Sequence, residues 1–370
     1  MVTLVKAGAV NCCITTERTK VALMKTMQEI ADELGLARST VSLCLSESHR
    51  HYRISAATVQ RVRDYAEKAG FVPNRMAGKL GKDVTPPIGL IINQDSSFEK
   101  SAVALRYAMN RLHEAKRDFV IQGFIGGRLV PTVRMLKGMQ INTLIMFGLF
   151  DESVHRISGT AVGRGAFQPG DGSKLAALLK DVEFFSVDYD FPAPADGVGN
   201  IYRMGIDRCQ TRIDLMEKLA AAGKGNFMCD IAPEDEEKFM QKKLIFDRRQ
   251  ILRCEFMPRD EFDTGRRYAE MVLRDFRHMQ VRTVLVNDDR VAVGLIEELT
   301  ARGIDVPGEL QVIGFDNLVD APYFRVPLTS IEVPVLENTR MVLDHILNGE
   351  ELPGNTINSA NIIWRESASL

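Results

Sequence analysis

Residues 26–46 read TMQEIADELGLARSTVSLCLS, and everything else in the chain is placed by how this stretch folds. Thr26-Met27-Gln28-Glu29 has the Thr-x-x-Glu form of a capping box, in which a hydroxyl and a carboxylate each satisfy a free amide in a helix's first turn. Met27, Ile30, Ala31 and Leu34 then recur at i, i+3, i+4 and i+7, one apolar face of a short helix. Gly35 stops that helix, since glycine accepts the left-handed conformation after a helix end. A second helix, Arg38 to Leu45, turns Val41, Cys44 and Leu45 inward and leaves Arg38, Ser39, Ser42 and Leu43 outside. Two short helices joined by a tight glycine turn form a helix-turn-helix, a unit whose second helix enters the DNA major groove. On pattern alone, a small three-helix bundle with a solvated basic face fits the same text.

Working outward, a third helix starts at Ser55 and ends at Gly70, with Val59, Val62 and Ala66 inward and Arg61 and Arg63 outward. Residues 24–82 hold ten Lys/Arg against six Asp/Glu, a net of +4 in a chain whose total is −2. Positive charge is therefore concentrated where phosphates would be met, while the whole chain carries no field that would attract nucleic acid. An apolar fraction of 45% and a charged fraction of 26% exclude a disordered or fibrous chain. No apolar run is long enough to cross a bilayer, Thr143 to Phe150 being the richest. The six cysteines are scattered without metal-ligand spacing, which points to a reduced, cytoplasmic compartment and to no metal. No cofactor motif is present either; Gly163-x-Gly165 does not lead from a strand into a helix. Residues 1–23 make a poor secretory signal, and read as a disordered extension or a mis-assigned start ahead of Met24.

Taken together, Met24 to Lys82 resembles the DNA-binding headpiece and hinge of the LacI family of transcription regulators. The matching text is the quoted stretch, then RISAATVQRVRDYAEKAGFVPNRMAGKL at 53–80. Its specific elements are Ile30-Ala31 before Gly35, Ser39-Thr40-Val41-Ser42, and Phe71-x-Pro73-Asn74. The resemblance implies a helix-turn-helix domain over 24–72 and a hinge over 73–85. It implies that Arg38 and Ser39 read base edges, with Thr40 and Ser42 on the same recognition helix. Leu43 falls on a further base-reading position where many members carry arginine; leucine offers only apolar contact, for instance to a thymine methyl. In the hinge, which begins at Asn74, Ala77 matches a close helix–helix contact and Leu80 a wedge between base pairs. Residues 74–82 are too few for a stable helix alone, so this segment is expected to order on DNA. The loop from Ser46 to Ile54 is longer than the family's common version, and its His49, Arg50, His51 and Arg53 are expected near phosphates or in solvent.

From Pro86-Pro87 onward, strand-like runs at Ile88–Ile92, Phe119–Phe124, Thr143–Phe147, Val182–Val187, Asn226–Asp230, Thr283–Val286 and Leu310–Ile313 alternate with helical patterns. Such alternation means parallel sheets covered on both faces. Asn287-Asp288-Asp289, Gly314-Phe315-Asp316-Asn317 and Pro327-Leu328-Thr329-Ser330-Ile331 are each weak alone. In this order they resemble the periplasmic-binding-protein-like core of LacI regulators. The fold class expected is thus a small all-α headpiece plus an α/β core, 86–370, of two interleaved doubly wound subdomains. The resemblance is strongest in 24–82 and 281–334 and weakest from Glu152 to Asn200. It implies effector contacts at Asp288, whose alternative role is a helix cap, and at Arg203, whose alternative is a surface charge. Asn93 to Phe98 and the glycine-rich Gly159 to Gly172 depart from the family text.

The function expected is a sequence-specific, homodimeric regulator, read as a repressor, on near-palindromic double-stranded operator DNA. A small-molecule effector between the two core lobes, a sugar or sugar derivative, sets its affinity. It is not expected to be an enzyme, since no nucleophile–base set is evident. Two other readings are a solute-binding or enzymatic sugar protein, and a regulator whose core has lost its ligand and only dimerises.

Overall fold

The computed structural model describes residues 26–45, 54–68, 85–94, 98–125, 127–150, 171–191, 201–253 and 261–370. The N-terminal extension, the loop at 46–53, most of the glycine-rich stretch and the hinge residues Asn74, Ala77 and Leu80 lie outside them. The chain divides between Val84 and Thr85 into two compact units.

The first unit holds α1 (Met27–Leu34), α2 (Arg38–Leu45) and α3 (Ala56–Lys68). The capping box forms as read: the Glu29 amide donates to Thr26 Oγ1 at 3.2 Å and the Thr26 amide to Glu29 Oε2 at 2.6 Å. Gly35 takes φ +63°, and the Leu36 amide then reaches back to the Ala31 carbonyl at 2.9 Å. Ser55 caps α3, its hydroxyl accepting from the Thr58 amide at 3.2 Å. Ile30, Ala31, Val41, Cys44, Val59, Val62 and Ala66 form the buried core, and Met27, Leu34 and Leu45, also read as inward, pack against it half-buried.

The second unit is built from two sheets. The first lobe runs β1 (Ile88–Asn93), α4 (Phe98–Glu114), β2 (Phe119–Phe124), α5 (Leu129–Gly138), β3 (Thr143–Phe147), α6 (Asp171–Leu178), β4 (Glu183–Asp190) and β5 (Ile201–Ile206). The chain then passes to the second lobe: α7 (Arg208–Ala221), β6 (Phe227–Cys229), α8 (Glu236–Gln241), α9 (Glu261–Asp275), β7 (Thr283–Leu285), α10 (Asp289–Ala301), β8 (Gln311–Phe315) and β9 (Thr329–Glu332). It returns to the first lobe for α11 (Val335–Asn348) and β10 (Asn355–Ile357), and ends in the second with β11 (Asn361–Ile363). Strand orders are β10-β5-β4-β3-β1-β2 and β11-β9-β8-β7-β6. All pairings are parallel except β11 with β9. This is the expected pair of doubly wound sheets. Strands covered on both faces read as continuous apolar runs, and β1 (IGLIIN) is buried at five of its six positions.

The strand β5 is absent from the sequence reading. It follows an irregular register between Ser186 and Tyr189 of β4. Gly205 fits against that irregularity so closely that a Cβ there would lie 1.8 Å from the Tyr189 carbonyl oxygen. Helix α11 packs on α4 and β4. The polar Asn338 on α11 is fully buried because it donates to the Val187 carbonyl at 2.9 Å and accepts from Asn358 at 2.7 Å.

Candidate nucleic-acid interface and ligand cleft

On α2, burial of Val41 and Cys44 fixes which face remains. Arg38, Ser39 and Ser42 are exposed, and Thr40 and Leu43 are partly buried at its edge. The α2 side chains expected to meet DNA therefore lie on the side of that helix turned away from the core. Arg61 and Arg63 do something more specific than lie outward. Arg61 donates to the Leu34 carbonyl at 2.9 Å and Arg63 to the Cys44 carbonyl at 3.2 Å. Each satisfies a carbonyl left open in the last turn of a neighbouring helix, so α3 staples α1 and α2 into their mutual angle.

In the second unit, a cleft opens at the carboxyl ends of strands from both lobes, where open α/β sheets take ligands. Lining residues come from α4 (Lys100), the end of β4 (Asp190), α7 (Arg208, Arg212), and the loops after β6 (Asp230), β7 (Asn287, Asp288) and β8 (Asp316). Alternation of sheet and helix puts these polar residues here because each follows the last apolar residue of a strand or opens the next helix.

The charges are paired in an ordered way. Arg208 donates to Asp188 at 2.6 Å. Lys100 lies 3.2 Å from the other oxygen of Asp188 and 2.7 Å from Asp316. Burial alone would raise the Asp188 carboxyl, but Arg208 and Lys100 outweigh it and hold the group at about 2. Arg212 pairs with Asp230 at 2.8 Å, and the Asn287 amide donates to the second oxygen of Asp230 at 2.8 Å. Here burial wins over both partners and pushes the carboxyl up to about 6. Behind the cleft, Asp289 accepts from Ser330 at 2.6 Å and from the Leu318 amide at 2.7 Å. Its complete burial outweighs these bonds and raises it to about 8. Asp316 and Asn317 both have positive φ, 103° and 48°. That costly backbone is held by Asn317, which donates to Glu332 at 2.8 Å and accepts from Arg365 at 2.7 Å.

Asp288 stands at the cleft and caps α10, one oxygen accepting from the Arg290 and Val291 amides at 3.0 and 3.1 Å. The two roles weighed for it are compatible, because a carboxylate has two oxygens. Arg203 is a correction. It is not brought to the cleft: it lies within β5, 7% exposed, with its guanidinium on the Ile201 carbonyl at 3.0 Å and over the Tyr189 ring. The arginines that line the cleft are Arg208 and Arg212, both on α7. Sequence reasoning also passed over Lys100, Asp188 and Asp230; the signal available was their position at the end of a strand or the start of a helix. Cys209 lines the cleft, but burial pushes its thiol up to about 12, so it is no thiolate nucleophile. Among the described residues no group of three or more His, Cys, Asp or Glu is placed to hold a metal, and no helix is long and apolar enough to cross a membrane.

Comparison with known proteins bears on both units. Residues 26–74 match the profile of bacterial regulatory proteins of the lacI family, and residues 246–368 that of a periplasmic binding protein-like domain. The chain is 23% identical over 362 residues to the HTH-type transcriptional regulator AscG of Escherichia coli (strain K12), covering 93% of this chain and 98% of that one. It is 21% identical over 322 residues to catabolite control protein A of Priestia megaterium, covering 84% and 88%. Among solved structures it is similar in fold to a Lac repressor dimer bound to operator and the anti-inducer ONPF, with TM-score 0.62, 17% identity and coverage of 93% and 98%.

Proposed function

This chain belongs to the LacI family of bacterial regulatory proteins and is a DNA-binding transcription regulator, and from that premise we propose that it is a homodimeric repressor of a near-palindromic operator, released or recruited by a small polyhydroxylated effector. The observation that carries the DNA half is the single exposed face of α2, with Arg38, Ser39 and Ser42 in a row. An arginine near the start of a recognition helix suits bidentate pairing with guanine, and hydroxyls suit either base edges or phosphates. Asn74, Ala77 and Leu80 are assigned to the hinge contact in the minor groove by resemblance.

The effector half rests on the cleft between the lobes. Asp288 and Asp316 offer acceptors and Asn287 a mixed donor–acceptor edge, the groups that sugar hydroxyls satisfy. A structure of similar fold is that of a transcriptional regulator CelR–cellobiose complex, which supports a sugar derivative as the effector class. The reading that the core has lost its ligand has one observation in its favour, the pairing of Lys100, Arg208 and Arg212 with the cleft's own carboxylates.

Selection of bound duplexes from a random pool by the full chain tests the first half. Enrichment of a two-fold symmetric sequence is expected, and no enrichment would sink it. Calorimetry of the full chain with glucose, ribose and cellobiose tests the second. Heat that Asp288→Ala abolishes is expected; silence from all three sugars favours the ligand-free reading.

A further inference from the structure

Among the described residues, three ion pairs cross from one core lobe to the other. Lys100 on α4 reaches Asp316 after β8 at 2.7 Å, with side chains 7% and 5% exposed. Arg208 on α7 reaches Asp188 on β4 at 2.6 Å, and that carboxylate is fully buried. At the rim, Arg290 at the start of α10 grips Glu99 at the start of α4 through two bonds of 2.8 and 2.7 Å. The first two are joined by a further contact, since Lys100 also lies 3.2 Å from Asp188. Asp188, Arg208, Lys100 and Asp316 therefore form one chain of alternating charge laid across the cleft.

We propose that Lys100 is a tethered occupant of the cleft, a side chain that takes the place of a ligand between Asp188 and Asp316 and clamps the two lobes together with no small molecule bound. The inference rests on the reading of this cleft as the effector site and concerns how that site is controlled.

The physical case has two parts. A buried charge is costly unless paired, and breaking such a pair leaves its partner uncompensated in a dry site. Separating the lobes would strip Asp316 of Lys100 and leave Asp188 with Lys100 alone, so opening breaks two desolvated pairs, with the exposed Glu99–Arg290 pair adding little. Secondly, the Asp316 backbone is held at an unfavourable φ of 103° by the bonds around Asn317, which fixes the point from which its carboxylate reaches the cleft. An effector hydroxyl that needs Asp316 must displace an ammonium attached to the same protein. The consequence is regulatory. A ligand shifts an equilibrium only by its differential affinity for the two states, and here the closed state is already favoured, so the ligand's effect on lobe closure is small unless it exchanges with Lys100.

Hydrogen exchange on the full-length protein, without added small molecule, tests this. Lys100→Met is expected to raise exchange by about tenfold or more at 186–190 and 314–318, one segment on each bank, with sheet interiors at 143–147 and 311–313 unchanged. Equal exchange in the variant and the parent overturns the clamp. If Lys100→Met instead loosens the whole core, Asp316→Asn decides, because it breaks the cross-lobe pair and leaves Lys100 beside Asp188: a rise confined to the two banks supports the clamp, and none overturns it. Calorimetry with glucose, ribose and cellobiose on both proteins reads the effector site separately. Silence from all three leaves the clamp standing on the exchange result, whereas equal exchange with heat from one of them removes the clamp and keeps the effector.

Discussion

Arg38 and Leu43 stand on one short helix and would act on DNA in opposite ways. A guanidinium reads guanine through two hydrogen bonds, and a leucine reads only shape and a methyl group. Arg38→Ala is therefore expected to cost about 1–3 kcal/mol of operator affinity, roughly five- to 150-fold, and to relax preference at one base pair per half-site. Fluorescence anisotropy with the selected duplex and its single-base variants measures both effects; an equal loss on every sequence would make Arg38 a phosphate contact instead. The same scale shows where sequence reading stopped. Asp288 was legible because its place, between a strand and a helix, is written in adjacent residues. Its neighbours in the cleft were not, since Lys100 and Asp316 are 216 positions apart and no local pattern announces a partner at that distance. Arg203 was misplaced for a related reason: the strand around it is defined by pairing with β4 and β10, not by its own alternation.

At the scale of elements, the headpiece was read almost completely from the sequence because its determinants are local. A capping box, a helical face and a glycine stop each act within a few residues, and all three form as written. Gly35 is a sharp test, since only glycine takes its φ of +63° without strain. Gly35→Ala is expected to lower headpiece stability by about 1–2 kcal/mol, visible as an earlier thermal transition of the headpiece with the core transition unmoved. The hinge belongs to this scale too. Leu80→Ala is expected to weaken operator binding while leaving the core folded and dimeric, as gel shift and light scattering on one preparation would show; unchanged affinity would remove the wedge role. What local pattern did not supply was the purpose of Arg61 and Arg63, because a backbone carbonyl at the end of another helix has no sequence signature.

Over the whole molecule, charge burial ties stability to pH. Asp289 rises from an ordinary 3.8 to about 8 in the folded core, and Asp230 to about 6. A carboxyl held protonated by the fold stabilises it fully below its unfolded value, and that contribution is lost as pH rises toward the folded one. Asp188, held at about 2, acts oppositely: its contribution is present above the ordinary carboxylate value and is lost as pH falls toward 2. The core is expected to lose stability steadily from about pH 4 to about pH 8. Asp289→Asn should flatten the upper part of that slope. Urea unfolding across the window measures it, and a variant with the parent's slope would show that Asp289 is ionised in the folded state. The fold class at this scale was legible from strand–helix alternation. The assignment of β10 and β11 to different lobes was not, because both are short and only their pairing partners distinguish them.

Those last two strands have a consequence for how the protein is made. The first sheet's edge closes only with Asn355–Ile357 and the second's only with Asn361–Ile363. A ribosome that has delivered residues 85–206 has released most of a lobe without its final strand or its covering helix α11. Neither half can be finished early and set aside while the other is synthesised. Both are completed within the same short stretch, 355–363, and no single cut in the chain yields either lobe whole. Exchanging one lobe for another protein's therefore needs more than one junction in the chain, each placed where the chain passes between the sheets.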